Sequence, residues 1–451
     1  MAATASEAIM IELEKEGCEW IRSERFEKRK AEEAKNREKN NPMKLCVLKF
    51  DHFENIHRLD KKLPVFDGAP NFRQVPGYLV FGTGQPTKDG FLLTLKYISE
   101  AVQASHILWT NMRQEPVVYL NGQSFTPRLP DRMNENMEFP GISGDDIEWL
   151  QEQFVKSIKD KVDEVKKDRY TPDEEKGLKR KKKVGFNNSP KVRYYRDTYA
   201  EHPEDRKNIE YSVHLDNEED LITLGGLYSD LKQSGFSLQY ARMPIIDEKA
   251  PTVGDFDALL EMLRVADDNT ACVFNCQMGK GRTTTGMVIA CLIKDIVHGH
   301  NKGKEYIFRQ VDRNEIPDEE EALEEEHRLG NYVVLDKLYQ YLPEARTAKA
   351  HLDHILDLCG EPATGGTGLQ NLRECIQWAE TKFNFEPKNK KAFWRQMGQN
   401  FIERYCYLIL FTAYLQERAP REFDINFSLW LDIRAEMREI VAQGTKSFNW
   451  N

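Results

Sequence analysis

The chain has 451 residues, with 64 Lys and Arg against 74 Asp and Glu for a formal charge of −10, and eight scattered cysteines. This length leaves room for two or three structural units with ample core, and the acidic balance argues against a general nucleic-acid-binding surface. No apolar run approaches the roughly 18 residues that cross a bilayer, and no cysteines are spaced in the short pairs of a zinc site, so neither a metal nor another cofactor is expected.

In chain order, a Glu-, Lys-, Arg- and Ala-rich stretch from about 7 to 40 predicts an exposed helix, so that 1–43 form a charged helical lead or linker. Met1 to Cys18 lack the pattern of a secretory signal, and the expected location is cytoplasmic. Apolar alternation then predicts strands at 78–81, 106–112 and 117–122, the last entering a hairpin, and helices at 88–102 and 142–165. Lys166 to Arg196 is a basic linker centred on Lys179-Arg180-Lys181-Lys182-Lys183, either an exposed mobile segment or an attraction for a polyphosphorylated ligand or an anionic membrane surface. Strands at 237–246 and 270–274 and helices at 252–266 and 283–297 complete an α/β unit over 44–300, a layered sheet with helices on both faces. Beyond Gly299 the strand signals fade. The acidic run Asp312 to Glu326 reads as a solvated loop or helix face, and helices are expected at 332–341, 345–359, 369–383, 393–417 and 428–442. Together they make 301–451 an all-helical extension packed on the α/β unit.

The chemistry concentrates in Phe274-Asn275-Cys276-Gln277-Met278-Gly279-Lys280-Gly281-Arg282-Thr283-Thr284-Thr285-Gly286. A buried strand runs into it and an apolar helix runs out, so Cys276 and Arg282 stand at the two ends of a phosphate-sized loop at a helix N-terminus. Unpaired amides of Gln277, Met278, Gly279, Lys280 and Gly281 and the helix dipole suit a tetrahedral anion there. The same positive field favours the thiolate of Cys276, a nucleophile for phosphorus. Arg282 can hold two phosphoryl oxygens with its planar fork, Thr283 can donate to the sulfur as it leaves, and Lys280 adds charge for a second phosphate. A leaving alkoxide needs a proton, and the upstream carboxylates are Asp247, Glu248, Asp255 and Asp257. Asp247 follows an extended run and stands at a strand end, whereas Asp255 and Asp257 fall in or near the next helix.

The string Cys276 to Thr285 resembles the loop of the protein-tyrosine-phosphatase-like inositol phosphatases, or cysteine phytases. Asn71-Phe72-Arg73 through Gly84-Gln85-Pro86-Thr87, Trp109 through Gly122, Gln370 through Glu374 and Arg404 through Leu408 extend the likeness, within one branch of that superfamily, over about 44–440. The resemblance implies the family's layered sheet with flanking helices and metal-independent hydrolysis of phosphomonoesters of inositol phosphates or phosphoinositides through a phosphocysteine. It also implies Asp247 as general acid and Arg113 as a contact to a substrate phosphate, oriented by Glu115. Asn111 stands where the family has aspartate, and Asn275 where the wider tyrosine phosphatases have histidine. One Cys-x5-Arg loop and no second Gly-Gln-Pro-Thr stretch are present, so the chain reads as a single unit. The implied partner is a phosphorylated small molecule or a phosphoinositide headgroup, with peripheral membrane contact and no nucleic acid; oligomeric state is not legible. The competing readings are a catalytically weak phospholigand-binding scaffold and a protein phosphotyrosine phosphatase.

Overall fold

A computed structural model describes residues 42–53, 65–168, 191–198, 207–215, 217–360 and 369–447. The helix expected over 7–40 and the run Lys179 to Lys183 lie outside the described residues.

The strands in chain order are β1 Val47–Phe50, β2 Arg73–Gln74, β3 Val80–Thr83, β4 His106–Arg113, β5 Val118–Leu120, β6 Gln123–Arg128, β7 Lys191–Asp197, β8 Asn208–His214, β9 Leu221–Thr223, β10 Leu238–Ile245 and β11 Thr270–Asn275. The α-helices are α1 Lys88–Lys96, α2 Gly144–Asp168, α3 Leu224–Gln233, α4 Val253–Leu263 and α5 Gly281–Ile296. They continue as α6 Glu319–Arg328, α7 Val333–Tyr341, α8 Ala345–Gly360, α9 Leu372–Phe385, α10 Lys388–Arg418, α11 Phe427–Ile433 and α12 Ala435–Lys446.

Five strands form one sheet in the order β10-β4-β11-β3-β2, parallel except for β2. Its apolar residues alternate between two cores, because successive side chains of a strand point to opposite faces. Leu108, Met112, Cys272 and Phe274 join a core shared with α4, α5 and the tail helices as far as Val441. Ile107, Trp109, Ala271 and Val273 face the other way, onto α1 and α3. Both faces being covered, β4 and β11 are buried along nearly their whole length, as parallel strands are. The α5 helix lies between sheet and tail, and its buried residues run from Arg282 to Asp295.

A second sheet, β8-β7-β1-β6-β5-β9, holds the strand expected at 117–122 as β5, which enters a hairpin with β6, whereas its other strands were not expected from the sequence. It packs on α2 through Leu48, Val118, Phe125, Ile147, Leu150 and Phe154. Strands β7 and β8 pair with each other and leave most of their residues exposed or half-exposed, so they lack the apolar alternation that marks a strand. The helix expected at 428–442 is two helices. Arg434 departs from helical dihedrals at φ −114° and ψ 55°, and its guanidinium binds Glu417 at 3.0 Å and lies 4.3 Å from the Trp430 ring centre.

Candidate active site

The loop Cys276–Lys280 joins the C-terminal end of β11 to the N-terminus of α5, at the sheet edge where open parallel sheets bind ligands. Two earlier stretches hold it from behind. Gln85 donates its backbone N–H to the carbonyl of Gln277 at 2.9 Å, and Asn71 Nδ2 donates to the carbonyl of Met278 at 2.7 Å. Gly279 has φ +78°, and a Cβ there would lie 2.5 Å from the nitrogen of Gly84, so only glycine permits this approach. Arg73 is buried behind the loop without a carboxylate partner among the described residues and donates to Thr284 Oγ1 at 2.8 Å. Burial pulls its pKa down to about 10. The first-turn amides of α5 have no intrahelical acceptor, as at any helix start.

Cys276 is buried and lines a cleft of about 540 Å³ together with Asp247, Lys280 and Arg282. Arg282 Nη1 donates to Glu115 at 3.0 and 3.2 Å and to the carbonyl of Ile245 at 3.2 Å, and its Nη2 lies 3.2 Å from Asp247 Oδ2. Glu115 also accepts from Arg113 Nε at 3.1 Å, and Arg113 Nη1 reaches Asp51 at 2.5 Å. The result is a charge chain, Asp51–Arg113–Glu115–Arg282–Asp247, running from the second sheet to the cleft. Burial alone would raise the Glu115 carboxyl, but Arg282 and Arg113 override it and hold it down at about 2. Burial likewise disfavours the charge of Arg282, and Glu115 and Asp247 reverse that, raising its pKa above the ordinary arginine value.

Two side chains expected at the reaction are engaged elsewhere. Arg113 is wholly buried and does not line the cleft: as the last residue of β4 it meets Asp51, just past β1, with Nη1 and Glu115 with Nε, while Nη2 has no partner among the described residues. It acts on the site through Glu115. Thr283 is also buried, and its hydroxyl donates to the carbonyl of Thr83 at 3.3 Å, tying α5 to the end of β3. Asn275 is spent inward too. Its Oδ1 accepts from the indole of Trp109 at 2.9 Å, and its Nδ2 donates to Gln85 Oε1 at 3.1 Å.

Of the four upstream carboxylates, Asp255 caps α4 by accepting from Thr252 N and Oγ1, and Asp257 accepts from the N–H groups of Phe427 and Ser428. That leaves Asp247 and Glu248 on the cleft. Glu248 sits at φ +64°, and burial, then the neighbouring Asp247, raise its pKa.

The opposite wall comes from the tail. Gln370, Cys375, Trp378, Phe401 and Arg404 line it. Arg404 is 2% exposed, donates from Nη2 to the carbonyl of Lys249 at 2.8 Å, and has no partner at Nε. No carboxylate pairs with it among the described residues, and burial pulls its guanidinium below the ordinary arginine value. Sequence reasoning missed Asp51 and Arg404. The signal for Arg404 is a lone cation within the aromatic and aliphatic stripe Phe401 to Leu415.

Residues 110–294 match the sequence model of the protein-tyrosine-phosphatase-like phytase family, described as inositol hexakisphosphate. The chain is 29% identical to Paladin of Xenopus tropicalis over 366 residues, 80% of this chain and 36% of that protein. To Paladin of Gallus gallus it is 28% identical over 378 residues, 82% and 37% respectively. It therefore spans little more than a third of the length of these curated relatives. The tandemly repeated protein-tyrosine-phosphatase-like phytase from Mitsuokella multacida superposes with a TM-score of 0.50 at 17% identity, covering 87% of this chain and 48% of that one; the likeness is one of fold.

Proposed function

We propose that this chain, similar to the paladins of the protein-tyrosine-phosphatase-like phytase superfamily, is a cysteine phosphatase acting on phosphomonoesters of inositol phosphates or phosphoinositides. The observation that carries the reading is the meeting of Cys276 and Arg282 in one cleft at the N-terminus of α5. The thiolate of Cys276 attacks phosphorus. The ester oxygen leaves with its electron pair and takes a proton from the carboxylic acid of Asp247. Water then attacks the phosphocysteine, giving a proton back to Asp247 as sulfur departs and inorganic phosphate is released. Arg282 and the loop amides stabilise the charge that develops on the phosphoryl oxygens. An incoming phosphate must displace Asp247 from Arg282, which frees the carboxyl for the leaving group.

Lys280 and Arg404 support a substrate with more than one phosphate. Arg404 is a buried cation with no carboxylate in contact among the described residues, only the longer-range attraction of Asp247 and Glu248, and an entering anion would compensate its charge more closely. In this reading 44–300 carry the reacting groups and 301–451 supply the second wall of the cleft. A thiolate nucleophile needs a reducing compartment, which supports a cytoplasmic location.

A second reading, a phospholigand-binding scaffold of low turnover, is favoured by Asn275, whose amide is locked to Trp109 and Gln85. Phosphate release from inositol polyphosphates, short-chain phosphoinositides and a phosphotyrosine peptide, with Cys276→Ser as blank, separates the readings. Release lost in the blank and highest on the inositol compounds is expected. Binding of those compounds with no release above the blank would leave the scaffold, and a preference for the peptide would move the substrate class.

A further inference from the structure

Around the turn between α9 and α10, large apolar side chains stand exposed among cations. Phe385 is 86% exposed, Phe393 54% and Trp378 48%. Trp394 links two of them, with ring centres 4.7 Å from Trp378 and 4.9 Å from Phe393. From residue 382 to 395 the charged side chains are Lys382, Lys388, Lys390, Lys391 and Arg395 against the single carboxylate of Glu386. Glu386 is shared between Lys382 at 3.2 Å and Lys390 at 3.7 Å. Lys391 and Arg395 lie over the ring of Phe383 at 4.8 and 5.2 Å, so their stems cover apolar surface while no carboxylate among the described residues takes their charge.

We propose that this corner is a peripheral docking surface for an anionic lipid bilayer. Aromatic side chains partition to the headgroup region, and lysines and arginines beside them attract acidic lipids. Charge decides the occupant. A second copy of the chain docked through the same patch would set these cations against one another, whereas an anionic membrane complements them. No helix among the described residues is long and apolar enough to cross a membrane, so the contact is a surface one. Its inner edge is Trp378, which also lines the cleft of Cys276. Docking there brings the cleft mouth to headgroup level, where a phosphorylated headgroup enters without leaving the bilayer. Only this last step rests on the proposed function.

The docking is tested without turnover. Cys276→Ser protein is co-sedimented with vesicles of phosphatidylcholine alone or of phosphatidylcholine mixed with phosphatidylserine. Binding to the mixed vesicles only, weakened by salt, is expected. Phe385→Asp with Phe393→Asp, and separately Lys388→Glu with Lys390→Glu and Lys391→Glu, each lower the partition coefficient by roughly tenfold or more, with unchanged thermal melts. In a chain that keeps Cys276, the phenylalanine variant retains its rate on soluble inositol polyphosphate. Absence of binding by the parent, or variants that bind as the parent does, overturns the proposal. So does a parent dimer in ultracentrifugation that the phenylalanine variant dissociates, since a second copy would then cover the patch. Vesicle binding by a chain that keeps Cys276 yet releases no phosphate from soluble inositol polyphosphate or short-chain phosphoinositide upholds the docking and removes the enzymatic reading instead.

Discussion

On the sheet side of the cleft Arg282 meets Glu115 and Asp247 and Arg113 meets Glu115 and Asp51, whereas on the helical side Arg404 is buried with no carboxylate in contact among the described residues. A buried guanidinium costs free energy unless it is paired. Arg113 and Arg282 meet that cost with carboxylates of the protein, which sets Arg113 and Glu115 before any ligand arrives, whereas Arg73 behind the loop has hydrogen bonds only to Asn71 and Thr284 among the described residues. The helical side leaves it largely open, and in the proposed function an anion from the ligand would relieve it. In the proposed function the reaction chemistry falls to the sheet wall, Arg404 of the helical wall joins Lys280 in ligand selection, and each variant below tests one wall.

The largest effect is expected on the sheet side from Cys276→Ser. Phosphate release falls to the background rate, while inorganic phosphate still binds in calorimetry, because Arg282 and the loop amides remain. Turnover at the parent rate would remove the phosphocysteine. Asp247→Asn slows poor leaving groups by roughly 10²–10⁴-fold, the usual worth of a positioned general acid, but an aryl phosphate with an acidic phenol much less. Equal losses on both substrates would assign the proton to another group, Glu248 being the other carboxylate on the cleft.

Glu115→Gln breaks the charge chain and leaves Arg113 and Arg282 under-compensated. The cost should be about 3–5 kcal/mol of stability, measured by denaturant unfolding. The pH dependence follows from the same pair of arginines. Glu115 titrates at about 2 when folded against an ordinary 4.5, so the stability it contributes is complete above about pH 4.5 and is lost as pH falls towards 2. Thermal melts across that window should fall more steeply for the parent than for Glu115→Gln. Parallel curves would mean that the chain does not couple to folding.

The smallest effect belongs to the helical wall. Arg404→Met should lower kcat/KM on an inositol polyphosphate by roughly 10- to 100-fold, the worth of one charge-assisted hydrogen bond at about 1.5–3 kcal/mol. A small monophosphate should be nearly unaffected, and the variant should be no less stable, since it removes an unpaired buried charge. A loss of the same factor on both substrates would mean that Arg404 merely shapes the loop, and the division between the walls would fail.

Much of this site is legible before folding is considered. Cys276, Lys280 and Arg282 fall within one string flanked by a strand and a helix, and Asp247 ends an extended run, so local pattern is enough to bring them forward. The strands at 106–112 and 270–274 and the helices at 345–359 and 393–417 are legible for the same reason: burial on one or both faces writes an apolar period into the chain. Strands β7 and β8, largely solvated, write none.

The strand, the loop with its expected anion site and the helix that follows are written locally, because backbone amides, a helix terminus and glycine conformations depend on neighbours along the chain. Where the side-chain charges and hydroxyls go depends instead on the assembled fold. Arg113 carries the same signal as a phosphate ligand until Asp51 arrives from the other sheet, Thr283 until the carbonyl of Thr83 is beside it. Arg404 reads as one more helical arginine until α10 is laid across the cleft with no carboxylate in contact among the described residues. Pairing is a property of elements that meet in space, and a single sequence does not state which elements meet.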